Sequence, residues 1–293
     1  MIRTSQQKAL EVIAYIVMGI VAVIIIIPFL LLFVASITDE KYILTEGYSL
    51  FPKALSLEAY TYIWNSRGTI LRAYGVTIGV TIVGTLLHVL ITAMAGYVLS
   101  VPDLPGRRVL MFLFLFTTLF NGGMVSTYMI YSSVLKIKNT FWALLVPNLL
   151  FSPVNCIITR TYFRTNIPQE LYDSAKIDGA SEIRIFLNIV LPLGKPILVT
   201  IGIFAGLGYW NDWMNGLLYV TDSTKYSIQQ MLNIMISNIQ YLAQFGNDVF
   251  TADIPSMGVR MAIAFVAFLP ILIAYPFLQK YFRSGIMIGA VKG

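Results

Sequence analysis

The chain has 293 residues, 57% hydrophobic and 12% charged, with a formal net charge of +6 and a mean hydropathy of +0.77. Soluble domains carry roughly a quarter charged residues, so this composition excludes that class and indicates an integral membrane protein. Nor is the positive charge a nucleic-acid footprint: the cations sit mostly at the edges of apolar spans, and no basic run is interleaved with aromatics.

The first apolar run covers 10–37, after a start that carries Arg3 and Lys8. A charged start and an apolar core imitate a secretory leader, but the run exceeds a leader's apolar region of roughly 7–15 residues and is long enough to cross a bilayer with tilt. It predicts a retained first span. Residues 38–73 mix charge with aromatics such as Tyr60, Tyr62 and Trp64, and predict an external loop with short helical pieces, of which Leu57 to Trp64 suits the membrane surface.

A second span is predicted over 74–99, where Gly75, Gly79, Gly84 and Gly96 give the small-residue surface of a helix packed on other helices. A short basic turn leads to a third span over 109–135, interrupted by Asn121-Gly-Gly-Met124. Two glycines and an amide at that depth predict a kink or local unwinding, tolerated where the backbone is buried in protein or lines a cavity. Lys136 to Asn139 turns the chain into a fourth span over 140–161, which holds Pro147, Asn148, Pro153 and Asn155. The single histidine, His88, and the single cysteine, Cys156, both lie within spans. Neither builds a metal site alone and one cysteine closes no intrachain disulfide, so both are read as packing residues.

Residues 162–196 form the longest charged, helix-patterned stretch, too polar for lipid. Pro168 suits a helix start, and Glu170 and Asp173 place negative charge at the positive end of its dipole. Leu171 and Ala175 share a face, Gly179 suits the left-handed residue that ends a helix, and Ser181 suits the cap of the next. A second apolar stripe follows at Ile183, Phe186, Leu187 and Val190, closed by Pro192 and Pro196. The small residues around the bend, with Lys176 and Asp178 between them, make a knuckle that fits a groove on another protein. An amphipathic connector between two spans and a DNA-binding helix-turn-helix are the plainer readings of the same pattern.

A fifth span is predicted over 197–220, a polar external loop over 221–258 and a sixth span over 259–281. Six spans put both termini on the same side as the 162–196 loop. The larger share of the 20 Lys and Arg falls on that side, which makes it cytoplasmic. The whole chain is read as one transmembrane domain.

The spacing around the knuckle is specific. Asp173-Ser174-Ala175, three residues, Gly179, nine residues, Ile189, one residue and Leu191-Pro192 resembles the "EAA" cytoplasmic loop of bacterial ABC importer permeases. Lys176 to Ala180 strengthens the likeness. Asp173 replaces the usual glutamate and Ser174 the first alanine, keeping charge or size. The resemblance implies that Asp173, Ser174, Ala175, Lys176, Asp178, Gly179 and Ala180 couple the chain to an ATPase.

No Gly-x-x-x-x-Gly-Lys-Ser/Thr, His-Glu-x-x-His or Gly-x-Ser-x-Gly stretch occurs, so the chain is read as neither the ATPase nor another enzyme. Candidate cargo contacts are Tyr209, Trp210, Asn211, Asp212, Trp213 and Asn215 on the fifth span. Aromatic faces stack on the C–H faces of sugar rings, while amides and carboxylates bond hydroxyls. Asp212 is the most telling, since an ionisable group at membrane depth faces a cavity or a partner. It lies about 15 residues, roughly 22 Å, from the cytoplasmic end, so an interfacial aromatic belt reads equally well. Asn121 and Tyr128 are further path candidates, with helix packing as the rival reading.

The six-span layout, the loop between spans four and five, Trp210-Asn-Asp-Trp213 and the Gly289-Ala-Val-Lys-Gly293 ending resemble the maltose-type carbohydrate uptake permeases. Phe120-Asn-Gly-Gly-Met124 with Tyr128, and Met257-Gly-Val-Arg-Met-Ala262, look like the polysaccharide or larger-oligosaccharide branch. This resemblance implies an all-α integral membrane protein of type I ABC importer permease architecture, with a cytoplasmic coupling helix-turn-helix, in a bacterial plasma membrane. Implied partners are a second homologous permease chain, two ATP-binding cassette ATPase subunits and an extracellular solute-binding protein that meets the 221–258 loop. ATP and Mg would sit on the ATPase subunits, with no cofactor in this chain. An importer of a non-sugar solute and an ion-coupled secondary transporter are the alternatives. The second requires paired midplane charges and broken helices in matching halves, which the sequence does not clearly carry.

Overall fold

The long apolar runs fold as helices, because a backbone in lipid must satisfy its own polar groups. The computed structural model describes residues 5–102, 104–245 and 257–290. Residues 1–4, Asp103, the 246–256 part of the predicted external loop and the Val291-Lys-Gly293 end lie outside them. Every regular element among the described residues is a helix, and an isolated bridge joins Thr38 to Leu55.

In chain order the helices are α1 Ser5–Ser36, α2 Glu40–Glu46, α3 Glu58–Asn65, α4 Arg67–Ser100, α5 Arg107–Leu119, α6 Gly123–Met129 and α7 Trp142–Leu145. There follow α8 Pro153–Asn166, α9 Gln169–Ile177, α10 Glu182–Ile185, α11 Leu191–Leu193, α12 Lys195–Trp210, α13 Met214–Tyr219, α14 Ile228–Phe245 and α15 Met257–Ala290. Wide π turns extend α6 over Ile130–Val134 and join α10 to α11 over Phe186–Val190.

Among the described residues, Leu10–Ser36, Arg67–Ser100 and Met257–Pro276 are each long and apolar enough to cross a membrane. Five spans result if each of two bent pairs counts as one: Arg107–Leu119 with Gly123–Val134, at 114°, and Glu182–Leu193 with Lys195–Trp210, at 79°. The predicted fourth span, 140–161, is not among these helices. One turn of helix at α7 gives way to irregular backbone with Asn148 at φ +60°, and α8 has 14 residues, about 21 Å at 1.5 Å each. Pro153 starts that helix, where its missing N–H costs nothing, and the Ser152 hydroxyl accepts from the Asn155 N–H at 3.3 Å.

The chain divides into two compact units, Met1–Ile70 with Leu232–Leu272 and Leu71–Met231 with Ile273–Gly293. In the first, α1 exposes apolar side chains all round over most of its length, a surface that suits lipid. Phe29 stacks on Phe268 with centroids 4.6 Å apart, and Phe33 meets Phe265 at 5.0 Å. The Glu40 carboxylate accepts from the N–H groups of Met257 and Gly258 at 2.8 and 2.9 Å. A negative charge thus caps the positive end of α15.

In the second unit, α4 is the post on which the others pack. Its Thr77 hydroxyl accepts from the Ile228 N–H at 2.9 Å, ahead of α14. At Gly84 a Cβ would stand 2.4 Å from the Tyr209 ring, so only glycine lets α12 approach this closely. His88 bridges to α8: a carbonyl only accepts, so the ring donates from Nδ1 to the Leu149 oxygen at 2.6 Å, and Nε2 faces the Asn155 amide nitrogen at 3.0 Å. His88 and Cys156 are both buried, in line with the packing roles read from the sequence. One core cluster gathers Val76, Val80, Leu144, Tyr209 and Tyr219. A second gathers Ala93, Tyr97, Phe163, Tyr172, Ile185 and Val190.

Candidate functional site

The second cluster is the floor of the polar loop. Pro168 caps α9, Glu170 lies in its first turn, and the helix closes where Gly179 takes φ +73°. That left-handed residue lets the Ala180 N–H reach back to the Ala175 carbonyl at 2.9 Å and the Gly179 N–H to the Lys176 carbonyl at 3.0 Å. The Ser181 hydroxyl then accepts from the Arg184 N–H at 3.4 Å and opens α10. The segment through α10 and α11 bends by 79° into α12. Helix, bend and helix follow from caps and a glycine in the sequence.

The loop is held at one carboxylate. Glu182 accepts from the Tyr97 hydroxyl of α4 at 2.5 Å and pairs with Lys176 across the bend at 3.3 Å. The Tyr97 hydrogen bond, helped by the Lys176 charge and opposed by slight burial, holds this carboxyl below the ordinary glutamate range. The Tyr97 ring stacks on Tyr172 of α9 with centroids 6.2 Å apart and meets Phe186 at 5.6 Å. One aromatic at the end of α4 therefore grips both halves of the loop.

Of the predicted coupling residues, Asp173, Ser174, Lys176, Asp178 and Gly179 are exposed, while Ala175 and Ala180 are half-buried against the floor. The apolar stripes hold in part: Ala175, Phe186 and Val190 face the floor, and the other predicted members do not. On α9 it is Tyr172 that is buried and Leu171 that is exposed. In the second half Val190 is buried as predicted and Ile185 joins it, whereas Leu187, inside the π turn, and Ile183, ahead of it, are exposed. Ile177, absent from the predicted set, is 86% exposed at the tip, and Ile183 is 72% exposed. Sequence reasoning also missed Tyr97 and Glu182, whose pairing spans 85 positions.

The predicted path residues part into two groups. Helix α12 stops at Trp210, because Asp212 takes up the capping of α13: its carboxylate accepts from the Asn215 N–H at 3.2 Å. The Tyr209–Asn215 motif therefore straddles a helix break and does not lie on one continuous span. Tyr209 and Asn215 are buried and donate to the Leu145 and Pro147 carbonyls, both at 2.9 Å. They hold the irregular backbone beside α7. Trp210 is also buried, and its indole N–H has no acceptor among the described residues. Asn211, Asp212 and Trp213 remain accessible. Asn121 is exposed at the 114° bend, where its side chain accepts from the Gly123 N–H at 2.8 Å. Tyr128 stacks on Tyr219 with centroids 5.6 Å apart. Tyr128 thus packs on the core cluster that contains Tyr209 and Tyr219.

Known proteins match nearly the full chain. The family model described as "Binding-protein-dependent transport system inner membrane component" matches residues 1–288. The chain is 39% identical over 290 residues to the protein LplC of Bacillus subtilis (strain 168), covering 99% of this chain and 97% of that one. It is 38% identical over 276 residues to the polygalacturonan/rhamnogalacturonan transport system permease protein YtcP of the same organism, covering 93% and 94%. Among solved structures, a chain of a bacterial ABC transporter involved in the import of the acidic polysaccharide alginate superposes with a TM-score of 0.79 at 25% identity, over 96% of this chain and 99% of that one. On this match the chain belongs to the family of binding-protein-dependent transport system inner membrane components.

Proposed function

We propose that the chain is the permease subunit of an ATP-driven importer and forms half of the translocation path for oligosaccharides or glycans delivered by an extracellular solute-binding protein. The observation that carries this reading is the loop: an exposed knuckle bearing Ile177 and Ile183, held rigidly by Tyr97 and Glu182, on a chain of this family. Exposed apolar side chains rimmed by polar ones mark a protein contact. The partners at this surface are ATPase subunits that hold ATP and Mg, and a second permease chain completes the path. The loop and both termini face the cytoplasm in this reading.

Force reaches the path through the covalent frame. The knuckle continues through α10 and α11 into α12, a rod of about 24 Å at 1.5 Å per residue. At its far end stand Asn211, Asp212 and Trp213, the accessible candidates for cargo. Movement of the loop tilts this rod against α4 at Gly84, the closest approach between them. The carbohydrate cargo rests on relatives whose names specify polygalacturonan/rhamnogalacturonan and arabinooligosaccharides. The test is uptake by a strain lacking the gene, across oligouronides, neutral oligosaccharides and dipeptides. Loss of an oligosaccharide alone supports the reading, and loss of dipeptide uptake alone overturns the cargo class.

A further inference from the structure

The root of the loop contains a hollow. Tyr97, Ser100, Phe163, Arg164, Gln169 and Tyr172 line a cavity of about 260 Å³ between the ends of α4 and α8 and the start of α9. Tyr172 is 9% exposed, and its hydroxyl has no hydrogen-bond partner among the described residues. The Ser100 hydroxyl lies beside it and donates to the Tyr97 carbonyl at 2.7 Å. A buried hydroxyl without a partner carries its full desolvation cost.

Among the described residues the charge around the hollow is also unbalanced. Lys176 lines it but is paired with Glu182. Arg164 is exposed and has no ion pair or hydrogen bond among the described residues. Arg160, which donates from Nε to the Leu99 carbonyl at 3.4 Å, is close enough to Arg164 and Arg107 to feel their repulsion. The first N–H groups of the nine-residue α9 have no partners within the helix, and Gln169 of that turn lines the same hollow.

We propose that this hollow binds a phosphate-bearing anion, held by the Arg164 guanidinium and the Tyr172 hydroxyl and steadied by the start of α9. Donors converge there from two helices, and a tetrahedral anion with several acceptor oxygens serves them better than a planar carboxylate. The volume holds a phosphate with a few attached atoms. Bound phosphate ties α8 to α9 and so stiffens the root of the loop.

Two sources share this chemistry, an anionic phospholipid headgroup and a soluble phosphate. The test uses the purified full chain in detergent. Thermal unfolding is followed in sodium phosphate against sodium chloride at equal ionic strength, and native mass spectra are recorded after incubation with phosphatidylglycerol or phosphatidylcholine. Phosphate raises the unfolding midpoint of the wild type, and its apparent affinity falls at least about tenfold in Arg164→Gln and in Tyr172→Phe. Tyr172→Phe is no less stable than wild type in chloride, because it removes only an unsatisfied hydroxyl. Retention of phosphatidylglycerol that phosphate displaces and Arg164→Gln abolishes identifies the lipid source. A phosphate response with no retained lipid identifies the soluble one. Equal response to phosphate and chloride with no lipid retained, or wild-type binding in both variants, overturns the site.

Discussion

Tyr97→Phe isolates the contact that holds the loop. The ring is 7% exposed and packs on Tyr172 and Phe186, and phenylalanine keeps that packing. What is lost is one hydrogen bond to the Glu182 carboxylate at 2.5 Å. Bonds to charged groups contribute about 1.5–3 kcal/mol when buried, but the Glu182 side chain is 60% exposed and water replaces the donor, which leaves about 1 kcal/mol. Local opening over 169–185 then becomes about fivefold more frequent. Hydrogen–deuterium exchange of peptides from this segment reads that factor directly. The control is a double-mutant cycle: on a Glu182→Ala background the same substitution has no donor–acceptor pair to break and leaves exchange unchanged. An equal rise in exchange on both backgrounds, or none on either, would refute the reasoning and return Tyr97 to simple packing.

Four further outcomes follow from the structure. The Glu182 carboxyl is held below its ordinary value of 4.5, so its contribution is full above that value and is lost as pH falls through the lower folded one. Exchange over 169–185 should therefore rise on acidification below about pH 4.5 in the wild type, and the rise should shrink in Glu182→Gln. Gly84→Ala drives a methyl group into the Tyr209 ring and should cost about 1–3 kcal/mol by chemical unfolding of the isolated chain. Gly79→Ala, with nothing within 4 Å, should be neutral or gain about 0.5 kcal/mol; equal losses would show that the two helices do not meet at Gly84. Asn215→Ala leaves the Pro147 carbonyl unbonded and should cost about 1–3 kcal/mol. Trp213→Ala should instead lower oligosaccharide uptake at unchanged stability, and unchanged uptake would return Trp213 to an interfacial belt.

The loop was legible in the sequence because its signals are local. Pro168, Gly179 and Ser181 act within one turn of themselves, and each stands at the helix end it specifies. The buried faces were less legible, since a π turn at Phe186–Val190 breaks the 3.6-residue period on which Leu187 reads as inward. Tyr97 and Glu182 left no signal, because a contact across 85 positions has no spacing to read. The fifth span was drawn through Asp212 on hydrophobicity, and a capping carboxylate beside Asn211 ended the helix there. Aromatic and amide side chains read as cargo contacts divide by burial, which the string Tyr209 to Asn215 does not encode.

The most direct measurement of the coupling surface is co-purification of the tagged full chain with the products of its neighbouring genes, compared with Ile177→Asp. Ile177 is 86% exposed, so the substitution spares the fold and places a charge where an apolar contact is proposed. Wild type should bring down two ATPase subunits and a second permease chain, while Ile177→Asp should keep the permease chain and lose most of the ATPase. Equal ATPase recovery with both, or recovery of the wild-type chain alone under conditions that preserve a known importer, would contradict the docking role of this loop.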